Sequence, residues 1–153
     1  MSAVPFLIRP EQVKPYTIPG DESLYESRAL IAPDGAGSED LLVNHFTLRA
    51  GRALAPHVHP ENDELYYLLH GTGFVEVGGY EGRFDLVRHN VSPNCAVFIP
   101  AGTFHSLHNE CEEDMMLLTI WPRLPEQGSN PVYDGRLASW GCTFRTVEAV
   151  AAP

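Results

Sequence analysis

The sequence predicts an all-β domain, a sandwich or barrel of about ten short strands. Its 153 residues include 13 Gly and 13 Pro, a density of turn formers that breaks up long helices. Between the breaks lie short runs rich in Val, Ile, Leu, Tyr and Phe, the composition of strands. Apolar residues at 44% and charged residues at 20% suit one folded domain over residues 1–153.

Residues 4–22 hold Pro5, Pro10, Pro15 and Pro19, which predict an extended N-terminal arm against the barrel edge or a neighbouring subunit. Residues 24–31 read as a first strand, 32–40 as a turn-forming loop and 41–48 as a second strand. Residues 55–59 form a short stretch between Pro56 and Pro60. Residues 64–69 (ELYYLL) are rich in β-formers and end before Gly71. Residues 72–77 follow, with Gly78-Gly79 as a hairpin turn and 84–87 as a weaker strand. Residues 96–99, 104–108 and 115–121 complete the set. Residues 122–137 read as loop, and 138–147 as either a last strand or a C-terminal extension.

Composition excludes several functions. A formal net charge of −10 repels phosphate backbones, so no nucleic-acid partner is expected. Lys14 is the single lysine and the arginines form no stripe for anionic lipid. No stretch has the length of a membrane span, and the N-terminus lacks the pattern of a secretion signal. Cys95, Cys111 and Cys142 are odd in number and match no zinc-ribbon or CxxC spacing. Reduced thiols in a soluble, cytoplasmic protein are the expectation. No GxSxG, P-loop or dinucleotide fingerprint is present, and Gly71-Thr72-Gly73 is a strand-end turn.

One constellation carries chemistry. His57 and His59 are two residues apart, which in a strand places both imidazoles on one face. Residues 60–63 can turn the chain so that the next strand presents Glu64 to the same interior. His105 follows a Pro-Ala-Gly turn and can enter from another strand. A lone HxH is ordinarily a pair of surface or hydrogen-bonded histidines. Three imidazoles and one carboxylate together suit Fe, Mn, Ni, Zn or Cu and leave positions open on an octahedral ion.

The spacing is Gly51, five residues, His57-x-His59, four residues, Glu64, six residues, Gly71. After 22 residues come Asn94, five residues, Pro100-x-Gly102, two residues, His105, three residues and Asn109. These segments, 51–71 and 94–109, resemble the two motifs of the cupin superfamily. The one departure is Asn94, where the family usually has Gly. Asn tolerates the left-handed backbone of a turn better than most residues. The resemblance implies a cupin-type jelly-roll β-barrel. It implies one divalent transition metal held by His57, His59, Glu64 and His105, with Fe(II) favoured and Mn, Ni and Zn as alternatives. It also implies a homodimer, for which the arm and edge strands are suited.

Tyr66 lies two residues beyond Glu64 and should point the same way. Some cupin lyases resemble this Glu-x-Tyr arrangement and use the tyrosine as base. A core aromatic with a satisfied hydroxyl is the weightier reading. Tyr66 and Glu64 are the candidate catalytic pair. His70 and His108 read as surface residues or polar supports, and His45 and His89 carry no spacing signal. Phe46, Leu48, Ile99 and Phe104 are expected to line the barrel or fill its outer core, as are Phe98, Met116, Leu118 and Ile120. Arg49 and Arg52 could grip a carboxylate, but a solvated face is the plainer reading.

The functional expectation is a metal-dependent enzyme acting on a small-molecule substrate, with a non-haem iron dioxygenase first. A non-redox lyase, isomerase or cyclase is the second reading. A small-ligand binding or sensing protein is the third.

Overall fold

Nine strands and one 3₁₀ turn make up the regular structure of a computed structural model, which describes residues 7–17, 20–32, 38, 40–59, 62–79 and 85–122. The strands are β1 (Tyr25–Ile31), β2 (Leu42–Leu48), β3 (Ala53–His57), β4 (Glu64–His70) and β5 (Gly73–Gly78). They continue with β6 (Val87–Val91), β7 (Ala96–Ile99), β8 (Phe104–His108) and β9 (Met115–Trp121). All pairings are antiparallel. One sheet runs β1-β2-β9-β4-β7 and the other β3-β8-β5-β6. No helix among the described residues is long and apolar enough to cross a membrane.

The two sheets pack face to face as a jelly roll. Alternation selects their inner residues: Tyr25 and Phe46, then Leu68 and Leu117, meet Val75 and Leu107 of the other sheet in one buried cluster. The outer alternates of β9, Met116, Leu118 and Ile120, are only half-buried. They do not line the interior as expected. The run MMLLTIW is apolar at nearly every position, so period 2 cannot say which face turns inward. Phe98 is also outward and 61% exposed, whereas Phe46, Leu48 and Ile99 are core residues.

Two other expectations are corrected. The strand expected at 84–87 is β6, three residues later. It is an edge strand with residues 87–90 exposed, so it shows no apolar alternation. Gly78-Gly79 is not a two-residue turn, because β5 pairs with β6 only from Val77↔Val87 inward. The N-terminal arm contains a 3₁₀ turn at Pro10–Gln12, which a leading proline favours. Beyond it Val13 and Tyr16 are buried, and Tyr16 pairs with Ser27 of β1. Arg28 donates to the carbonyls of Pro10 and Val13 and ties the arm down. Residues 138–147 and Cys142 lie outside the described residues.

The motif turns explain themselves locally. Asn94 has φ 69°, the left-handed value anticipated from its side chain. Gly71 has φ 86°, and a Cβ there would meet the Met115 backbone at 3.1 Å. Asn109 is a clamp between loops. Its Nδ2 donates to the carbonyls of Glu113 (2.8 Å), Leu48 and Arg49 (both 3.2 Å), and its Oδ1 accepts from Cys111 N at 3.0 Å. Asn109→Ala strands these buried groups, so we expect a loss of about 2 kcal/mol in denaturant unfolding. A loss below about 0.5 kcal/mol would show that water replaces the clamp.

Candidate metal centre

The four residues with metal-ligand chemistry come from three strands and one loop. His57 is the last residue of β3, Glu64 the first of β4, and His105 the second of β8. His59 lies beyond the end of β3, so strand alternation does not by itself align the HxH pair. Two features compensate. A bulge between Leu54 and His57 gives β3 one extra residue, so both face inward opposite Leu107 and His105. The His59 carbonyl then accepts from Gly102 N at 2.9 Å, which fixes the loop over the Pro-Ala-Gly turn. One donor atom from each of the four side chains lies within 4.8 Å of the others.

Their chemistry fits a divalent cation. His57 Nδ1 faces the Ala55 carbonyl at 2.8 Å, and His105 Nδ1 faces the Thr103 carbonyl at 3.0 Å. A ring nitrogen donating to a carbonyl carries the proton, which leaves Nε2 with its lone pair. Glu64 Oε2 lies 3.2 Å from both His59 Nε2 and His105 Nε2. Yet Glu64 Oε2 and His105 Nε2 are sealed from solvent with no hydrogen-bond partner. Two apposed lone pairs in a dry site repel, and a cation between them turns the repulsion into ligation. The other oxygen, Oε1, accepts from Trp121 Nε1 at 2.6 Å. Trp121 thus points Oε2 alone at the site.

The electrostatics favour the ligating forms. Burial, then the neighbouring His105, holds the His57 imidazole down to about 4, so it is neutral near pH 7. Burial pushes the Glu64 carboxyl up, but His105 and His59, when protonated at the nitrogens facing it, hydrogen-bond to it and hold it well below the usual carboxylate range. Burial, and then the Glu64 carboxylate, pushes the Tyr66 phenol well above its ordinary value. As it stands, Tyr66 is a proton donor.

The donors sit at one end of a cavity of about 260 Å³ between the sheets. His57, His59 and Glu64 meet a wall that includes Phe46, Leu54 and Leu117. Tyr66 and Thr119 also line it, and both are buried.

Residues 44–121 match the family profile of the cupin domain. The chain belongs to the cupin family. This cupin is 30% identical over 83 residues to the tetracenomycin polyketide synthase protein TcmJ of Streptomyces glaucescens, covering 54% of this chain and 51% of that protein. It is 28% identical over 79 residues to the uncharacterized protein YrkC of Bacillus subtilis, covering 52% and 42%. The chain therefore spans about half the length, or less, of these curated relatives. Among solved structures, a predicted oxalate decarboxylase from Thermotoga maritima aligns with TM-score 0.63 and 20% identity, over 78% of this chain and all of the other. KdgF from Halomonas sp. aligns with TM-score 0.62 and 17% identity, over 79% and 96%. At such identities the likeness carries the fold alone.

In this cupin His57, His59, Glu64 and His105 converge as expected, with Tyr66 facing the same cavity. The other histidines do not join them. His70 is exposed beside Glu113, and His108 stacks on Phe74 at 4.2 Å on the opposite face of β8. Arg49 pairs with Asp114 and Glu26, and Arg52 with Asp21, so both tie loops together. Sequence reasoning missed Trp121 and Thr119. Both sit at inner positions of β9, and only the inward parity of that strand could have singled them out.

Proposed function

We propose that this cupin is a metal-dependent enzyme acting on a small organic molecule, and that within this class it is a non-haem iron oxygenase. The observation that supports the reading is the convergence of three imidazoles and one carboxylate beside a mostly apolar cavity. His57, His59, Glu64 and His105 would hold the ion. When bound, iron supplies redox chemistry and open coordination positions for substrate and O₂. The chain's own residues do the rest. The apolar wall excludes water, Trp121 fixes the Glu64 carboxylate, and Tyr66 holds a proton beside the site.

Tyr66 supports a second reading, a non-redox lyase, isomerase or cyclase in which the phenol delivers a proton to a substrate carbonyl. The discriminating experiment combines elemental mass spectrometry of untagged protein with oxygen-electrode and anaerobic assays over a substrate panel. Bound iron with substrate-dependent O₂ uptake is the expected result. Turnover without O₂ would move the assignment to the second reading. Retention of an unchanged small molecule without turnover would make the protein a binding module. We expect Tyr66→Phe to lower turnover by about 10²-fold with metal content unchanged. Unaltered turnover would remove Tyr66 from the mechanism.

A further inference from the structure

The cavity is amphipathic in a definite direction, and that direction describes a ligand. Its polar end starts at Glu64. One pleat further along the sheet, Tyr66 and Thr119 are cross-strand partners, and Asn44 is the partner of Thr119 on its other side. Asn44 Nδ2 donates to Thr119 Oγ1 at 3.1 Å in a fully buried contact. That bond occupies a lone pair of the threonine oxygen and leaves its hydroxyl hydrogen for another acceptor. The buried Tyr66 phenol, cross-strand partner of Thr119, lines the cavity beside it. Two hydroxyl groups therefore stand beside the metal ligands.

The next pleat turns apolar side chains to the cavity. Phe46 and Leu117 are cross-strand partners, and Leu54 faces Leu107 in the other sheet. All four line the cavity. No arginine or lysine is among the described residues that line it, and Glu64 is the one carboxylate there. A divalent ion beside Glu64 leaves one net positive charge, enough for one oxyanion. A second carboxylate on the ligand would lie against leucine and phenylalanine with no counter-charge, a costly burial. Size agrees with an apolar body. A cavity of about 150 Å³ lined by aliphatic side chains holds a benzene ring, so about 260 Å³ admits a substituted ring or two fused rings.

We propose that the substrate is a phenol or enolisable ketone with an apolar ring body. Its single oxygen anchor lies between the metal ligands, Tyr66 and Thr119, and its ring lies among Phe46, Leu54, Leu107 and Leu117. Small dicarboxylates are disfavoured. The inference rests on the metal-centre reading for the anchor and on the lining alone for the ring.

The test is isothermal titration calorimetry of the full, metal-loaded chain with 2-naphthol and with oxalate at pH 7. We expect 2-naphthol to bind at least about tenfold more tightly than oxalate. Thr119→Val should weaken 2-naphthol about five- to tenfold with metal content unchanged, because shape is kept and the donor is lost. Preference for oxalate, or no binding of 2-naphthol, overturns the ligand class. An unaltered 2-naphthol affinity in Thr119→Val overturns the placement of the anchor. The same titrations on chelator-stripped protein separate the two readings. If no metal is retained but 2-naphthol still binds, the metal centre fails and the apolar site stands. If metal is retained and oxalate is preferred, only the ligand class fails.

Discussion

Glu64→Gln is expected to raise the dissociation constant for metal by more than about 100-fold while leaving the metal-free fold standing. Removing residues that merely support metal ligands commonly costs 10- to 100-fold, and Glu64 is the one anionic donor among the four. The change keeps the volume of a residue that is only 4% exposed, so it opens no void. It also removes the lone-pair clash, since the amide can donate to His105 Nε2, which is otherwise unpartnered. Competition against a calibrated chelator reads the affinity, and thermal unfolding in chelator reads the fold. Unchanged metal affinity would mean that the four side chains are a polar core cluster. Collapse of the metal-free fold would mean that Glu64 serves structure first.

The donors were legible in the sequence because turn chemistry and spacing are local. Gly51, Gly71 and Gly102 each take positive φ, as does Asn94, so the motif residues that set the turns also set where His57, Glu64 and His105 emerge. Strands with one buried face were legible for the same reason. What the sequence hid depends on long-range choices. Strand β6 carries Arg88, His89 and Asn90 in the open, and only pairing with β5 makes it a strand. Strand β9 is apolar on both faces, and its register against β2 and β4 decides that Met115, Leu117, Thr119 and Trp121 turn inward. The bulge in β3 is also invisible without its partner β8, although Pro56 marks it as an edge strand.

That inward parity leads to the second large effect, at Trp121. Its Nε1–H donates to Glu64 Oε1 at 2.6 Å, beside the hydrogen bond that the Tyr66 phenol gives the same carboxylate. Trp121 is 5% exposed, and its ring lies 4.9 Å from that of His59. Trp121→Phe keeps much of the packing and deletes the donor. A buried, charged oxygen left unpaired costs about 2–3 kcal/mol, and the freed carboxylate no longer presents Oε2 in a fixed direction. Metal affinity should therefore fall about 10- to 100-fold. The double variant decides whether Trp121 acts through Glu64. If it does, Glu64→Gln with Trp121→Phe loses little more metal affinity than Glu64→Gln alone, because the second change removes support from a ligand already disabled. Additive losses would instead place the effect of Trp121 in the ring packing against His59, and the hydrogen bond would be incidental to metal binding.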